Sequence, residues 1–113
     1  MGCWTPRQSV GLDVAAADWR AHLEAPDGSA FTVTGPDAAP VAIRWQHCGG
    51  HNVENALTAM AAARHVGVVG ASAAASLASF AGVKRRLELL GTPRDIAVYD
   101  DFAHHPTAIA TTA

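Results

Sequence analysis

Three short segments of this chain carry residue types that could bind or react. The first is Gly50-His51-Asn52-Val53-Glu54-Asn55. If a helix starts here, Asn52 and Asn55 are three apart and share a face. A carboxamide donates and accepts at once, which suits the edge of an adenine ring. The competing local reading is that Asn52 caps the helix and His51 only precedes it, and local sequence alone favours it. The second segment is Arg85-Arg86-Leu87-Glu88. An arginine entering a strand can grip a phosphate with a forked pair of hydrogen bonds, although a solvated charge cluster at a linker is the commoner fate. The third is Asp100-Asp101-Phe102-Ala103-His104-His105-Pro106. Carboxylates at a strand end can accept from ribose hydroxyls or hold Mg²⁺. Histidine can bind phosphate or act as acid or base near neutral pH. The alternative is an Asp cap followed by exposed histidines; the combination is uncommon enough to weigh toward function.

Other chemistries find little support. No Gly-x-x-x-x-Gly-Lys-Ser/Thr run is present to cradle phosphates, and no serine-nucleophile motif appears. Cys48 with His47 and His51 is at most a zinc half-site, because a structural zinc needs four ligands and no second pair lies nearby. A small non-catalytic module holding a metal on Asp100, Asp101, His104 and His105 is a reading of another class. It is disfavoured, since neighbours on one segment rarely converge on one ion unaided. The formal net charge is -2, and Lys84-Arg85-Arg86 is the one cationic run, so neither nucleic acid nor an anionic membrane surface is an expected partner. No apolar run approaches the roughly 20 residues of a membrane-spanning helix. The start of the chain lacks a signal-peptide pattern, which makes a cytoplasmic protein the expectation. Cys3 and Cys48 alone make no disulfide framework.

These segments must be positioned by elements that the remaining sequence can supply. With 113 residues, half of them apolar, one modest core is affordable, but its material is mostly Ala and Val. Residues 1–28 show no clear period; Trp19 and Leu23, four apart, suit a single helical turn. Ala25-Pro26-Asp27-Gly28 is turn chemistry. Phe31 to Thr34 reads as a strand, broken by Gly35-Pro36-Asp37, and Val41 to Trp45 as a second, together a β-hairpin with a loop of about five residues. From Asn52, the residues Ala56, Leu57, Met60, Ala63 and Val66 fall at helical spacing, with Gly67 as the C-terminal stop. A second helix is expected from Ser72, its N-cap, to Phe80, with Ala74, Leu77 and Ala78 inward and Gly82 closing it. Arg86–Leu90 and Ile96–Tyr99 read as strands joined by the turn-rich Gly91–Asp95. Pro106 stands at the first position of a final helix. A domain junction is expected between residues 83 and 84. The strand at 96–101 and the helix start after it lack partners, so the chain reads as truncated at its C-terminal side.

Taken together, the three segments resemble the Mur ligases at the join between their central ATP-binding domain and their C-terminal domain. Gly2-Cys3-Trp4, the run Ala61–Val68, Arg85–Leu89 and Val98–Thr107 add to the likeness. It covers nearly the whole chain and is most specific from Gly50 onward. The resemblance implies an α/β fold. Residues 1–83 would end the central domain as a β-hairpin plus two helices. Residues 84–113 would begin a Rossmann-like C-terminal domain. It also implies roles: Asn55, supported by His51 and Asn52, toward adenine; Arg86 toward the nucleotide phosphates or ribose; Asp101 toward the ribose hydroxyls; His104 and His105 as the paired histidines of the muramate-accepting members. Lys84 and Asp100 are further candidates. The implied cofactors are ATP and Mg²⁺, with the Mg²⁺ ligands mostly outside this segment. The implied substrates are UDP-N-acetylmuramate and the peptide L-alanyl-γ-D-glutamyl-meso-diaminopimelate, or in the alternative L-alanine, joined through an acyl phosphate. The phosphate loop and the substrate-holding parts of the flanking domains are missing, so the segment alone is expected to be inactive.

Overall fold

Alternation of buried and exposed residues organises the first part of the chain into a sheet. In the computed structural model, which describes residues 4–36 and 39–112 (backbone only at 111 and 112), four strands lie side by side in chain order. They are β1 (Val10–Leu12), β2 (Trp19–Leu23), β3 (Ala30–Thr34) and β4 (Val41–Arg44). β1 and β2 run parallel; β2, β3 and β4 are successively antiparallel. The expected hairpin is β3–β4, with Val33 opposite Val41 and Ala30 opposite Arg44. It is one half of a larger sheet. The helical turn expected at Trp19 and Leu23 is not formed. Trp19 and Ala21 are buried while Arg20 and His22 are exposed, the two-residue period of a strand. Ala21 is too small to advertise that period in the sequence. Asp37, in the expected break after β3, and Gly2 and Cys3 lie outside the described residues.

Helix α1 (Gly50–His65) starts two residues earlier than expected. It buries Val53, Ala56, Leu57 and Met60 against Trp19, Ala21, Phe31, Val33 and Ile43 of the sheet. Its end is a Schellman motif. The Val68 amide donates to the Ala63 carbonyl and the Gly67 amide to the Arg64 carbonyl, with Gly67 at φ +90°, the left-handed conformation that favours glycine. Val66, expected inward, caps this end and is 77% exposed. Helix α2 runs Gly70–Ala78. Its N-cap is Val69 rather than Ser72, which lies inside the helix, and it buries Ala73 and Ala74 while Ala78 is exposed. An alanine-rich helix offers no size contrast, so its phase is set by what it packs on.

The chain divides into two units, Met1–Phe80 and Ala81–Ala113; the sequence had suggested a junction three residues later. In the second unit, β5 (Glu88–Gly91) pairs antiparallel with β6 (Val98–Asp100), with an irregularity between Leu89 and Gly91. A 3-10 turn, Pro93–Asp95, joins them, and α3 (Pro106–Thr112) begins at the expected proline. Arg86 and Leu87 do not belong to the strand. Arg85 (φ +59°) and Leu87 (φ +51°) are left-handed, which no β-ladder accommodates. The second strand starts two residues later than expected, after a turn in which Arg94 and Asp95 are left-handed. No helix among the described residues is long and apolar enough to cross a membrane.

Candidate functional site

The start of α1 is built from the sheet side. The turn after β2 is closed by Gly28 N–H donating to the Ala25 carbonyl, 2.9 Å. The Asp27 carboxylate accepts from the Ser29 hydroxyl (2.7 Å) and amide (2.9 Å), and these bonds hold its pKa below the ordinary 3.8. From this turn the Asp27 carbonyl accepts the Gly49 amide at 2.6 Å, and the Gly28 carbonyl accepts the Trp45 indole N–H at 2.9 Å. The entry to the helix is thus tied to the β2–β3 connection. Gly49 is the N-cap at φ +96°. A side chain there would meet the His51 ring at 2.7 Å, so glycine is favoured by conformation, and any larger residue would also displace the imidazole.

Asn52 is not the N-cap. It is the third helical residue, and its Nδ2 donates back to the Cys48 carbonyl at 2.7 Å. That bond fixes the carboxamide in one orientation. Asn55, one turn on, is exposed and has no side-chain partner among the described residues. His51 and Asn52 are half-buried. The three candidates of the first segment therefore share the first turns of one helix, with Asn52 anchored and Asn55 available.

In the second unit the candidates are organised around Asp101. Its Oδ2 accepts from the Leu87 amide at 3.0 Å and its Oδ1 from the Ala103 amide at 2.7 Å, so both oxygens already hold backbone. A carboxylate offers about four lone-pair sites, which leaves acceptor capacity for a further hydroxyl. Asp100 pairs with Arg85, Oδ2 to Nε 3.3 Å. The Arg85 guanidinium also lies over the Phe102 ring, 5.0 Å from its centre. Arg86, by contrast, is exposed and its guanidinium has no partner among the described residues. Lys84 is exposed. His104 is turned to the Phe102 carbonyl (Nδ1 3.1 Å) and tilts against the Phe102 ring. His105 opens α3: its carbonyl accepts the Ile109 amide, and its Nδ1 receives a long 3.4 Å bond from the Thr107 amide. The sequence did not single out Phe102 as a platform for Arg85, or Glu88, whose Oε2 accepts the Arg85 amide at 2.9 Å. Both depend on left-handed backbone at non-glycine residues, for which local sequence carries no signal.

Among the described residues, no three His, Cys, Asp or Glu side chains come together in a way that could hold a metal ion. Neither Cys48 with its histidines nor Asp100, Asp101, His104 and His105 form such a group. An apolar cleft of about 340 Å³, lined by Trp19, Val33, Val41, Met60, Arg64 and Val69, opens in the first unit. It sits at the C-terminal end of α1, roughly 18 Å of helix rise from Asn52, and shares no residue with the candidates.

No family model matches the chain. Individual relatives do. The UDP-N-acetylmuramate–L-alanyl-γ-D-glutamyl-meso-2,6-diaminoheptandioate ligase of Escherichia coli (strain K12) is 46% identical over 112 residues, which is 99% of this chain and 24% of that protein. The UDP-N-acetylmuramate–L-alanine ligase of Mycobacterium sp. (strain JLS) is 46% identical over 76 residues, 67% of this chain and 16% of that protein. Among solved structures, a murein peptide ligase from Psychrobacter arcticus superposes with a TM-score of 0.76 at 50% identity, covering 98% of this chain and 24% of that one. The chain thus spans about a quarter of the length of the relatives it matches throughout. With the paired-asparagine helix start and the Asp-Asp-Phe-Ala-His-His-Pro strand exit in place, the chain belongs to the Mur ligase family.

Proposed function

We propose that the protein to which this chain belongs is an ATP-dependent ligase. It would join the muramoyl carboxylate of UDP-N-acetylmuramate to the amine of L-alanyl-γ-D-glutamyl-meso-diaminopimelate in the recycling of cell-wall peptide, in the cytoplasm. The observation that carries this reading is the extent of the match. Likeness to the tripeptide ligase runs through 99% of the chain, whereas likeness to the L-alanine ligase runs through 67%. L-alanine ligation is the second reading, favoured by 46% identity to the L-alanine ligase over 76 residues.

In this reading residues 1–83 end the ATP-binding domain and residues 84–113 begin the C-terminal domain. ATP supplies the phosphoryl group that activates the carboxylate, and this chain's own residues hold the nucleotide. The exposed amide of Asn55, unpartnered among the described residues, fits the donor–acceptor edge of adenine, with Asn52 and His51 shaping the helix start beneath it. Arg86 presents five donors suited to phosphate oxygens. Asp101 keeps acceptor capacity for ribose hydroxyls, and His104 and His105 flank the same segment. Mg²⁺ would accompany the ATP, with its ligands mostly in parts of the protein outside this segment.

Full-length protein given ATP, UDP-N-acetylmuramate and either the tripeptide or free L-alanine decides between the readings. Amide formation with the tripeptide alone is the expected result. Product from L-alanine alone would overturn the tripeptide assignment, and no ATP-dependent amide product with either amine would overturn both.

A further inference from the structure

Of the two adjacent arginines, the second unit consumes one and displays the other, and the display depends on Glu88. Three successive amides of the turn are occupied: Arg85 N–H donates to Glu88 Oε2 (2.9 Å), Arg86 N–H to the Val83 carbonyl (3.1 Å) and Leu87 N–H to Asp101 Oδ2 (3.0 Å). The Arg85 carbonyl accepts the Phe102 amide at 2.8 Å. The Arg85 side chain is spent on Asp100 and the Phe102 ring. These bonds hold Arg85 and Leu87 in left-handed backbone on either side of Arg86. Non-glycine residues keep that conformation only where the surroundings over-determine it. What the turn leaves unengaged is the Arg86 guanidinium.

We propose that Glu88 is a positioning residue that acts through Arg86: by fixing the Arg85 amide it locks the turn that points Arg86 at the nucleotide. The proposal rests on the reading of Arg86 as a nucleotide ligand. The role of Glu88 is that of a hydrogen-bond acceptor for the Arg85 amide, a bond that its charge strengthens. Releasing it lets the turn relax, and the backbone that presents Arg86 then has to be ordered at each binding event.

The test is Mg-ATP affinity, by titration calorimetry, in the full-length protein. Arg86→Ala and Glu88→Ala are each expected to weaken binding about tenfold, as the loss of one charge-assisted contact does. The double variant should be no weaker than Arg86→Ala, because Glu88 has nothing left to position. Glu88→Gln keeps an acceptor at the same reach, though a neutral one, and is expected to lose clearly less than Glu88→Ala. Glu88→Asp keeps the charge one methylene short and is expected to bind like Glu88→Ala. Should Glu88→Ala fail to fold, the Gln and Asp variants decide alone. Rescue by Asp but not Gln would overturn the proposal, as would losses that multiply in the double variant. Unaltered binding in Glu88→Ala, with Arg86→Ala weakened, would overturn it and leave the nucleotide reading standing. Unaltered binding in Arg86→Ala would overturn that reading itself and this proposal with it.

Discussion

At the scale of residues, chemically similar neighbours have been given different work. Arg85 braces the turn before β5 through Asp100 and Phe102, while Arg86 faces outward. Arg85→Ala should therefore cost about 0.5–1 kcal/mol, the usual range for a half-exposed ion pair with an aromatic face beneath it. Arg86→Ala should leave stability unchanged. Hydrogen exchange at the amides of 85–87 and 102–103 separates the two; equal protection in both variants would refute the division. The carboxylates of the first unit make a pH prediction. Asp18 accepts from the Ser9 amide at 2.7 Å and hydroxyl at 2.8 Å, and Asp27 accepts from Ser29. Both pKa values are held below the ordinary 3.8 by those bonds. A depressed folded-state value means that the unfolded chain binds the proton first. The contribution is thus whole above 3.8 and is lost as the pH falls through the lower folded values. Asp18→Asn should flatten the acid limb of unfolding, followed by Trp fluorescence, because the stability that the carboxylate contributes above 3.8 is then missing at neutral pH as well. An unchanged acid limb would remove Asp18 from the account.

At the scale of elements, glycines mark where backbone and packing demands meet. Gly67 ends α1 in left-handed conformation with open space around a would-be side chain. Gly67→Ala should cost about 1 kcal/mol, from backbone strain alone. Gly35 is a packing case: a Cβ there would stand 2.7 Å from the Trp19 ring, and Trp19 is 3% exposed. Gly35→Ala should cost more, about 1–3 kcal/mol, because a buried indole must shift. Thermal melts of the two variants rank these costs, and the reverse order would show that the strand yields more easily than its packing suggests. Leu57, fully buried between α1 and the sheet, should lose about 2–5 kcal/mol on truncation to alanine.

At the scale of the molecule, the buried core is confined to the first unit. No described residue of Ala81–Ala113 is buried, and Leu89, Leu90, Ile96, Val98, Tyr99 and Ile109 are exposed apolar surface. Slowly exchanging amides are accordingly expected in α1 and in β2 to β4, and few in β5 and β6. The 113-residue chain alone is expected to give no ligation product with ATP, UDP-N-acetylmuramate and tripeptide, because it carries no phosphate loop. Any ATP-dependent product from it in a turnover assay would overturn that expectation.

The sequence by itself determined what rests on local period and composition. Ala56, Leu57 and Met60 announce α1, Gly67 its end, and Pro106 the start of α3. Phe31 to Thr34 and Val41 to Trp45 announce the central hairpin, and the His51–Asn55 and Asp100–Pro106 segments identify the family. Tertiary structure decided what depends on partners distant in the chain. Trp19 to Leu23 is a strand because β3 pairs with it; five residues with one small buried alanine cannot declare that alone. Helix α2 begins at Gly70 because a run of alanines has no phase until it packs. Asn52 became an anchor instead of a cap because the Asp27 carbonyl ties Gly49 into the cap position. Which of two identical arginines is free was settled by Asp100, Phe102, Glu88 and Asp101 together. Backbone conformation, fixed by hydrogen bonds from both sides, separated residues that the sequence writes alike.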